Sequence, residues 1–443
     1  MISYRQKEQW FDHFSSVSLE ESYEMCMNLL DENIPDDELI EDDFGTISVE
    51  LKSELIQEKQ YEKAINLIEK IKSTTTKLYR KEFPYLSEFA VEYYLFKKKY
   101  EKANAHLEPF IKNPDHGYDM FLPLFDKIRF YQMDDLAIKL ANQLYKPIKE
   151  SPELIGGAEF DLLDVIFYHI FQELYEKLEK NEEIDIQQLK ATFKKYEYDD
   201  TFLDKDFPEI YHTLKTMASR NGAAAFTKNE WTHAVHDNAQ NAIKTLFWSF
   251  AVYMLKRGKF HFSLSTDIWF PFFNMLLERE TLQDFKFGYQ DVDELTGKFF
   301  GFMSNKKERG FALTWGVPYI YDFLFEQELV GRESYDEALR HIDAIKKRLR
   351  YLYKEDLWRF DFVHTWVKPL SVSEESFAEE EQRFQKTFLS PPRKTFSSPS
   401  AGSKKNIFDD LFNEENNRPK KPKAAKKKAR KQASKQRKKN RKK

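Results

Sequence analysis

The sequence predicts an all-α protein: a helical-repeat solenoid, extended by further α-helices and followed by a disordered C-terminal tail. Glycine is scarce, 13 in 443 residues, roughly half the usual share of about 7%. Between Thr46 and Gly117 no other glycine occurs, and only Pro84, Pro109 and Pro114 interrupt. Glycine and proline punctuate hairpins, so their scarcity predicts long helices. A motif also recurs. QYEKAINLIEKI at 60–71 is echoed by KYEKANAHLEPFI at 99–111 and more faintly by MDDLAIKLANQLYKP at 133–147. Finally, Leu162, Leu163, Ile166, Phe167, Ile170, Phe171, Leu174 and Leu178 trace one helical face.

Taken in order, residues 1–44 hold one helix and an acidic connector. Ser18 and Glu21 form an S-x-x-E pattern that satisfies the free amides of a helix start reciprocally. The connector, Asp31 to Asp43, has eight acids and no base. Residues 45–150 carry the repeat. Aligning Ala64, Ala103 and Ala137 gives spacings of 39 and then 34 residues. Each alanine is followed at four and seven residues by apolar side chains: Ile68 and Ile71, Leu107 and Phe110, Ala141 and Leu144. A small residue on that face lets a neighbouring helix approach, and helix pairs at such a period stack into solenoids.

These residues resemble the tetratricopeptide repeat family. Tyr61 with Ala64, and Tyr100 with Ala103, stand where that pattern places its second-helix aromatic and small residue, and Pro114 and Pro147 stand near its closing proline. SYDEALRHIDAI at 334–345 repeats the signal through Tyr335 and Ala338. The first-helix Trp and small residue are absent, with Ser87 and Val91 in those places of the second unit. The resemblance implies an interaction scaffold without catalytic residues, working through a groove between stacked helices. Plain antiparallel helix pairs are the competing reading.

Residues 151–370 continue as helices. One is expected from about Asn229 to Leu255, ended by Gly258, and a next one capped by Ser265, Thr266 or Asp267, with Pro271 near its first turn. Leu282 to Pro318 holds five of the glycines and could form short strands. From about Ser371 to the C-terminus the chain reads as linker and tail, with one amphipathic island, NIFDDLFNEEN at 406–416. Its Ile407, Phe408, Leu411 and Phe412 share a helical face suited to a partner's groove or to the protein's own body.

The net charge of −4 conceals a split. Arg418 to Lys443 contains 16 Lys or Arg and no acid, which leaves 54 bases against 74 acids, a net −20, for residues 1–417. The tail lysines and arginines, Lys420, Lys421, Lys423, Lys426, Lys427, Lys428, Arg430, Lys431, Lys435, Arg437, Lys438, Lys439 and Arg441, have the density of a phosphate-backbone binder. With no aromatic among them, base stacking is excluded. RNA, DNA or a ribosome, an acidic partner or membrane surface, the chain's own acidic body and a nuclear-import receptor all remain as targets.

One cysteine, Cys26, excludes an intrachain disulfide or a cysteine-based zinc site. The start, MISYRQKEQWFDHF, lacks a signal-peptide core, and LFWSFAVYML at 246–255 is too short to span a bilayer. A cytoplasmic setting is expected, or a nuclear one in a eukaryote. The candidate chemistry is Glu230, His233, His236 and Asp237 in EWTHAVHDNAQNA. A Glu/His/His group can hold zinc or iron, and His236–Asp237 resembles the ligand pair of the HD phosphohydrolases. Asp161, Asp164 and His169 are the nearest further ligands that this would need. Surface or capping roles are the alternative, and no phosphate-binding loop or nucleophile elbow occurs. The expectation is therefore a protein that is not an enzyme and carries no cofactor or metal. Trp269, Phe270, Phe272 and Phe273 read as core.

Overall fold

The computed structural model describes residues 4–219, 226–277, 282–300 and 306–390, with no strand among the described residues. They belong to one compact unit, Met1–Pro392. The first helices are α1 (Lys7–Phe14), α2 (Leu19–Leu29) and α3 (Asp36–Glu41). Ser18 caps α2 by accepting from the Glu21 amide. The acidic connector is not a free loop, because most of it is engaged. Leu39 is buried, Asp42 accepts from the Tyr4 hydroxyl at 2.7 Å and pairs with Lys7 at 2.7 Å, and Asp31 and Asp37 reach Lys70 and Lys77.

Six helices follow: α4 (Phe44–Gln57), α5 (Tyr61–Thr74), α6 (Thr76–Phe96), α7 (Tyr100–Lys112), α8 (Tyr118–Phe130) and α9 (Asp134–Glu150). Helix α4 packs on α5, α5 on α6, α6 on α7 and α8 on α9, and α4, α6 and α8 lie side by side. The same turn recurs between α4 and α5, α6 and α7, and α8 and α9. Lys59, Lys98 and Gln132 are all left-handed, with φ of 55°, 56° and 57°. Their amides bond back to Ile56, Leu95 and Arg129, and the next amides (Gln60, Lys99, Met133) to Leu55, Tyr94 and Ile128. This is a Schellman ending built without glycine. It repeats at the spacings of Ala64, Ala103 and Ala137, all three of which are fully buried.

The rest comprises α10 (Phe160–Glu179), α11 (Ile186–Lys195), a π-helical turn (Phe202–Asp206), α12 (Phe207–Ser219), α13 (Lys228–Gly258), α14 (Phe262–Leu277), a 3-10 turn (Leu282–Asp284), α15 (Tyr289–Phe300), α16 (Lys307–Glu326), α17 (Arg332–Leu352), a 3-10 segment (Leu357–His364) and α18 (Glu374–Leu389). Here several expectations are corrected. The glycine-bearing 282–318 segment forms a 3-10 turn, α15 and the start of α16 with short coil between them, and no strand among its described residues. Gly316 is there for close approach: a Cβ would lie 2.5 Å from Ile268, so it lets α16 cross α14. Helix α14 begins at Phe262, which puts Ser265, Thr266 and Asp267 inside it and Pro271 well past its first turn. Asp267 pairs with Arg129 rather than capping. The region assigned to linker from Ser371 begins instead with α18, whose Phe384 and Phe388 are buried.

Candidate functional site

A stacked helical array offers its inner face as a groove. In this chain that face is filled by the chain itself, so the expected groove is not open. Residues Phe89 to Leu95 of α6 and Leu124 to Phe130 of α8 are buried without a break, which a surface helix does not show. The cover consists of α16, the 3-10 segment and α18. Trp358 and Phe388 wedge among Tyr61, Phe89 and Phe96, with ring centroids 4.9 to 6.2 Å apart. The Lys97 ammonium lies 4.3 Å over the Phe388 ring. Trp366 donates its indole N–H to the Phe130 carbonyl at 2.7 Å.

Charges line this buried seam in two interlocked sets. Asp126 and Lys127 of α8 face Glu308 and Arg309 of α16, crosswise. Arg309 clamps Asp126 with two hydrogen bonds of 2.6 and 3.0 Å and reaches Asp161 at 2.6 Å. Lys127 pairs with Glu92 and with Glu308 at 3.4 Å. Arg359 adds a second cation, 3.2 Å from Glu92, while Arg129 bridges Asp126 and Asp267. Burial pushes the Glu92 carboxyl up, but the Lys127 and Arg359 cations override it and hold it below the usual range. Burial alone would lower Lys127, and Glu92 and Glu308 raise it. At the outer end, Glu380 of α18 accepts from the Trp315 indole at 2.8 Å, pairs with Arg350 and lies 3.6 Å from His364. Burial opposes its ionisation, yet His364, Lys346, Trp315 and Arg350 hold its pKa down to about 2.

An open, aromatic-walled concavity lies elsewhere. A cleft of about 400 Å³ is framed by α10, the π-helical turn, α12, α13 and α14. Its walls are aromatic: Phe167, Tyr168, Tyr198, Phe202, Trp248 and Phe270. Phe167 stacks on Tyr198 at 5.5 Å, Tyr198 meets Phe202 at 4.8 Å, and Tyr168 packs on Trp248 at 5.9 Å. Phe270 thus belongs to the cleft, whereas Trp269, Phe272 and Phe273 are fully buried core. The charged lining is Asp164, Asp206, Glu209 and Lys244. Water reaches the Asp164 carboxyl through the mouth, but surrounding protein and the Asp267 and Asp161 charges push its pKa up to about 6. No local sequence signal marked this cleft, because its walls come from five elements.

Of the residues singled out for chemistry, few come together. Glu230 closes a capping box with Thr227 at the start of α13, accepting from the Thr227 amide at 2.7 Å. His233 and His236 are exposed, and His236 lies 3.7 Å from Asp237 where both side chains are more than four-fifths exposed. Just beyond, Asn238 breaks the helix with non-helical dihedrals. Asp161 is held by Arg309, Asp164 faces the cleft, and His169 stacks on His261. Burial pushes the His261 pKa down to about 3. Among the described residues no group of three or more His, Cys, Asp or Glu is placed to hold a metal ion. Cys26 is free and buried, and burial pushes its thiol well above the usual range. No described helix is long and apolar enough to cross a membrane. The island Ile407, Phe408, Leu411 and Phe412 and the basic run from Lys420 to Arg441 lie outside the described residues.

No family model, curated protein or solved structure matches this chain.

Proposed function

We propose that the protein is a non-enzymatic interaction scaffold of tetratricopeptide-like construction whose basic tail associates with polyanions. The charge split carries the reading: 16 bases without an acid in residues 418–443, behind a stretch of net charge −20. Lysines and arginines at that density neutralise phosphates and release counterions, so binding is strong at low salt and indifferent to sequence. The acidic stretch repels phosphate and confines contact to the tail. The repeated alanine motif and its recurring turn favour a helical scaffold as the tail's carrier. Because the inner face of the array is filled, a protein partner of the body would dock on outer surfaces or in the cleft.

Fluorescence anisotropy with a labelled single-stranded RNA tests this, using the full chain and a chain ending at Ser390. The full chain should bind oligonucleotides of different sequence alike. Its log affinity should fall against log salt with a slope of about −0.7 per neutralised phosphate, and the shortened chain should not bind. Equal binding by both chains would move the contact to the helical body and end the tail reading.

A further inference from the structure

The aromatic cleft is built for a ligand of definite chemistry, which we propose is a small organic cation, an ammonium or guanidinium carrying apolar substituents. The cleft is a cavity with rings on several sides, and aromatic faces attract cations through their negative quadrupole. Phe167, Tyr168, Tyr198, Phe202 and Phe270 are only half-buried there. Single rings such as Tyr85, Phe160 and Tyr351 are exposed elsewhere in the fold, but here five partly exposed rings gather around one cavity.

The second observation concerns polar groups. Asp164, Asp206, Glu209 and Lys244 line the cavity with water-exposed side chains, and among the described residues none of these side chains makes a hydrogen bond or ion pair; the Tyr168 and Tyr198 hydroxyls make no hydrogen bond either. In the seam between α8 and α16, by contrast, every carboxylate named above has a cation. Three carboxylates against one ammonium leave the cavity negative. The rim adds little to that sign: of the five acids from Glu197 to Asp206, Glu197, Asp200 and Asp204 pair with Lys149, Lys194 and Lys190. The rim segment ends in the π-helical turn, which aims Phe202 and Asp206 at the cavity; such turns recur at binding sites. A cavity of about 400 Å³ lies within the range of small-molecule sites. An anion would meet the carboxylates, and a neutral apolar ligand would gain nothing from them. A cation sheathed in methylenes or methyls satisfies rings and carboxylates together.

Isothermal titration calorimetry of the full chain tests the assignment. Choline is compared with 3,3-dimethylbutan-1-ol, which has the same shape without the charge, and agmatine with blocked arginine amide, which offer one guanidinium free and as a side chain. Binding of choline or agmatine, at least ten-fold tighter than the neutral alcohol, is expected. If blocked arginine amide alone binds, the cation comes from a polypeptide and the small-molecule assignment fails. Asp164→Asn should weaken binding several-fold. In the unsubstituted chain affinity should fall as pH drops through about 6, where Asp164, facing Asp161, Asp267, Arg129 and Arg309, takes up its proton. Lys244→Ala should tighten binding by about two- to ten-fold by removing a like charge, a gain that misfolding cannot produce. No heat from any cation up to ~10 mM, or equal affinity for the neutral alcohol, would overturn the proposal.

Discussion

The seam between α8 and α16 and the cleft beside α10 are both concave and both charged, yet they are opposites. In the seam each charge meets a partner and the space is filled; in the cleft carboxylates, rings and hydroxyls face open volume. Charge in a concavity therefore does not mark a site by itself. Charge without a protein partner beside an aromatic cavity is the better mark, because a buried network that closes on itself has nothing left to offer a ligand. The seam fixes how the helices dock, and the cleft is where the molecule has chemistry to spare.

The strongest way to break this contrast is to open the seam. Lys127→Ala strands Glu308 in a low-dielectric interior and leaves Glu92 with Arg359 alone, and removing one partner of such a pair costs about 3–5 kcal/mol. Urea unfolding should register it as a lower midpoint; an unchanged midpoint would mean that water reaches the seam. Next, Ala103→Leu puts a larger side chain where α7 meets its neighbours, with a cost of about 1–3 kcal/mol from overpacking and the same readout. A substitution in the repeated turn should act the other way. Lys98 is left-handed and on the surface, so Lys98→Gly relieves a conformation that side chains resist, for a gain of up to about 1 kcal/mol.

The smallest effect belongs to the cleft. The Asp164 pKa is raised in the folded chain, so its carboxylate is worth more to the unfolded chain, and stability falls as pH rises from its ordinary value of 3.8 through about 6. Asp164→Asn should remove that slope and leave neutral-pH stability unchanged or higher by about 0–1 kcal/mol, a small figure because water reaches the group. A clear loss in thermal melts would show that Asp164 supports the fold.

Much of the first half was legible because its signals are local. Ala64, Ala103 and Ala137 mark a face, and the face repeats with the turn. The turn itself was hidden, since Lys59, Lys98 and Gln132 stand where glycine would have announced a left-handed ending. Helix α13 was read to within a few residues from its apolar stretch and Gly258, but Pro271 misplaced the start of α14. Its missing amide and ring are outweighed by the burial of Trp269, Phe272 and Phe273. The seam was illegible for another reason. Lys127, Glu308 and Arg309 look like ordinary surface charges, and nothing near 127 points to 308. The metal candidates are not brought together: His236 and Asp237 stand in water and Glu230 is engaged at a helix start.

The crosswise pairing of Asp126 and Lys127 with Arg309 and Glu308 also has a consequence during synthesis. Those partners lie up to 183 residues apart in the chain. At about 5–20 residues per second, a ribosome needs on the order of ten to forty seconds to deliver the second set after the first. For that interval α6 and α8 expose a strip of aromatic rings that nothing yet made can cover, and Lys127 and Asp126 have only Glu92 and Arg129 as partners. The nascent protein is then at its stickiest, and shielding by a chaperone would matter most between completion of α9 and the arrival of α16.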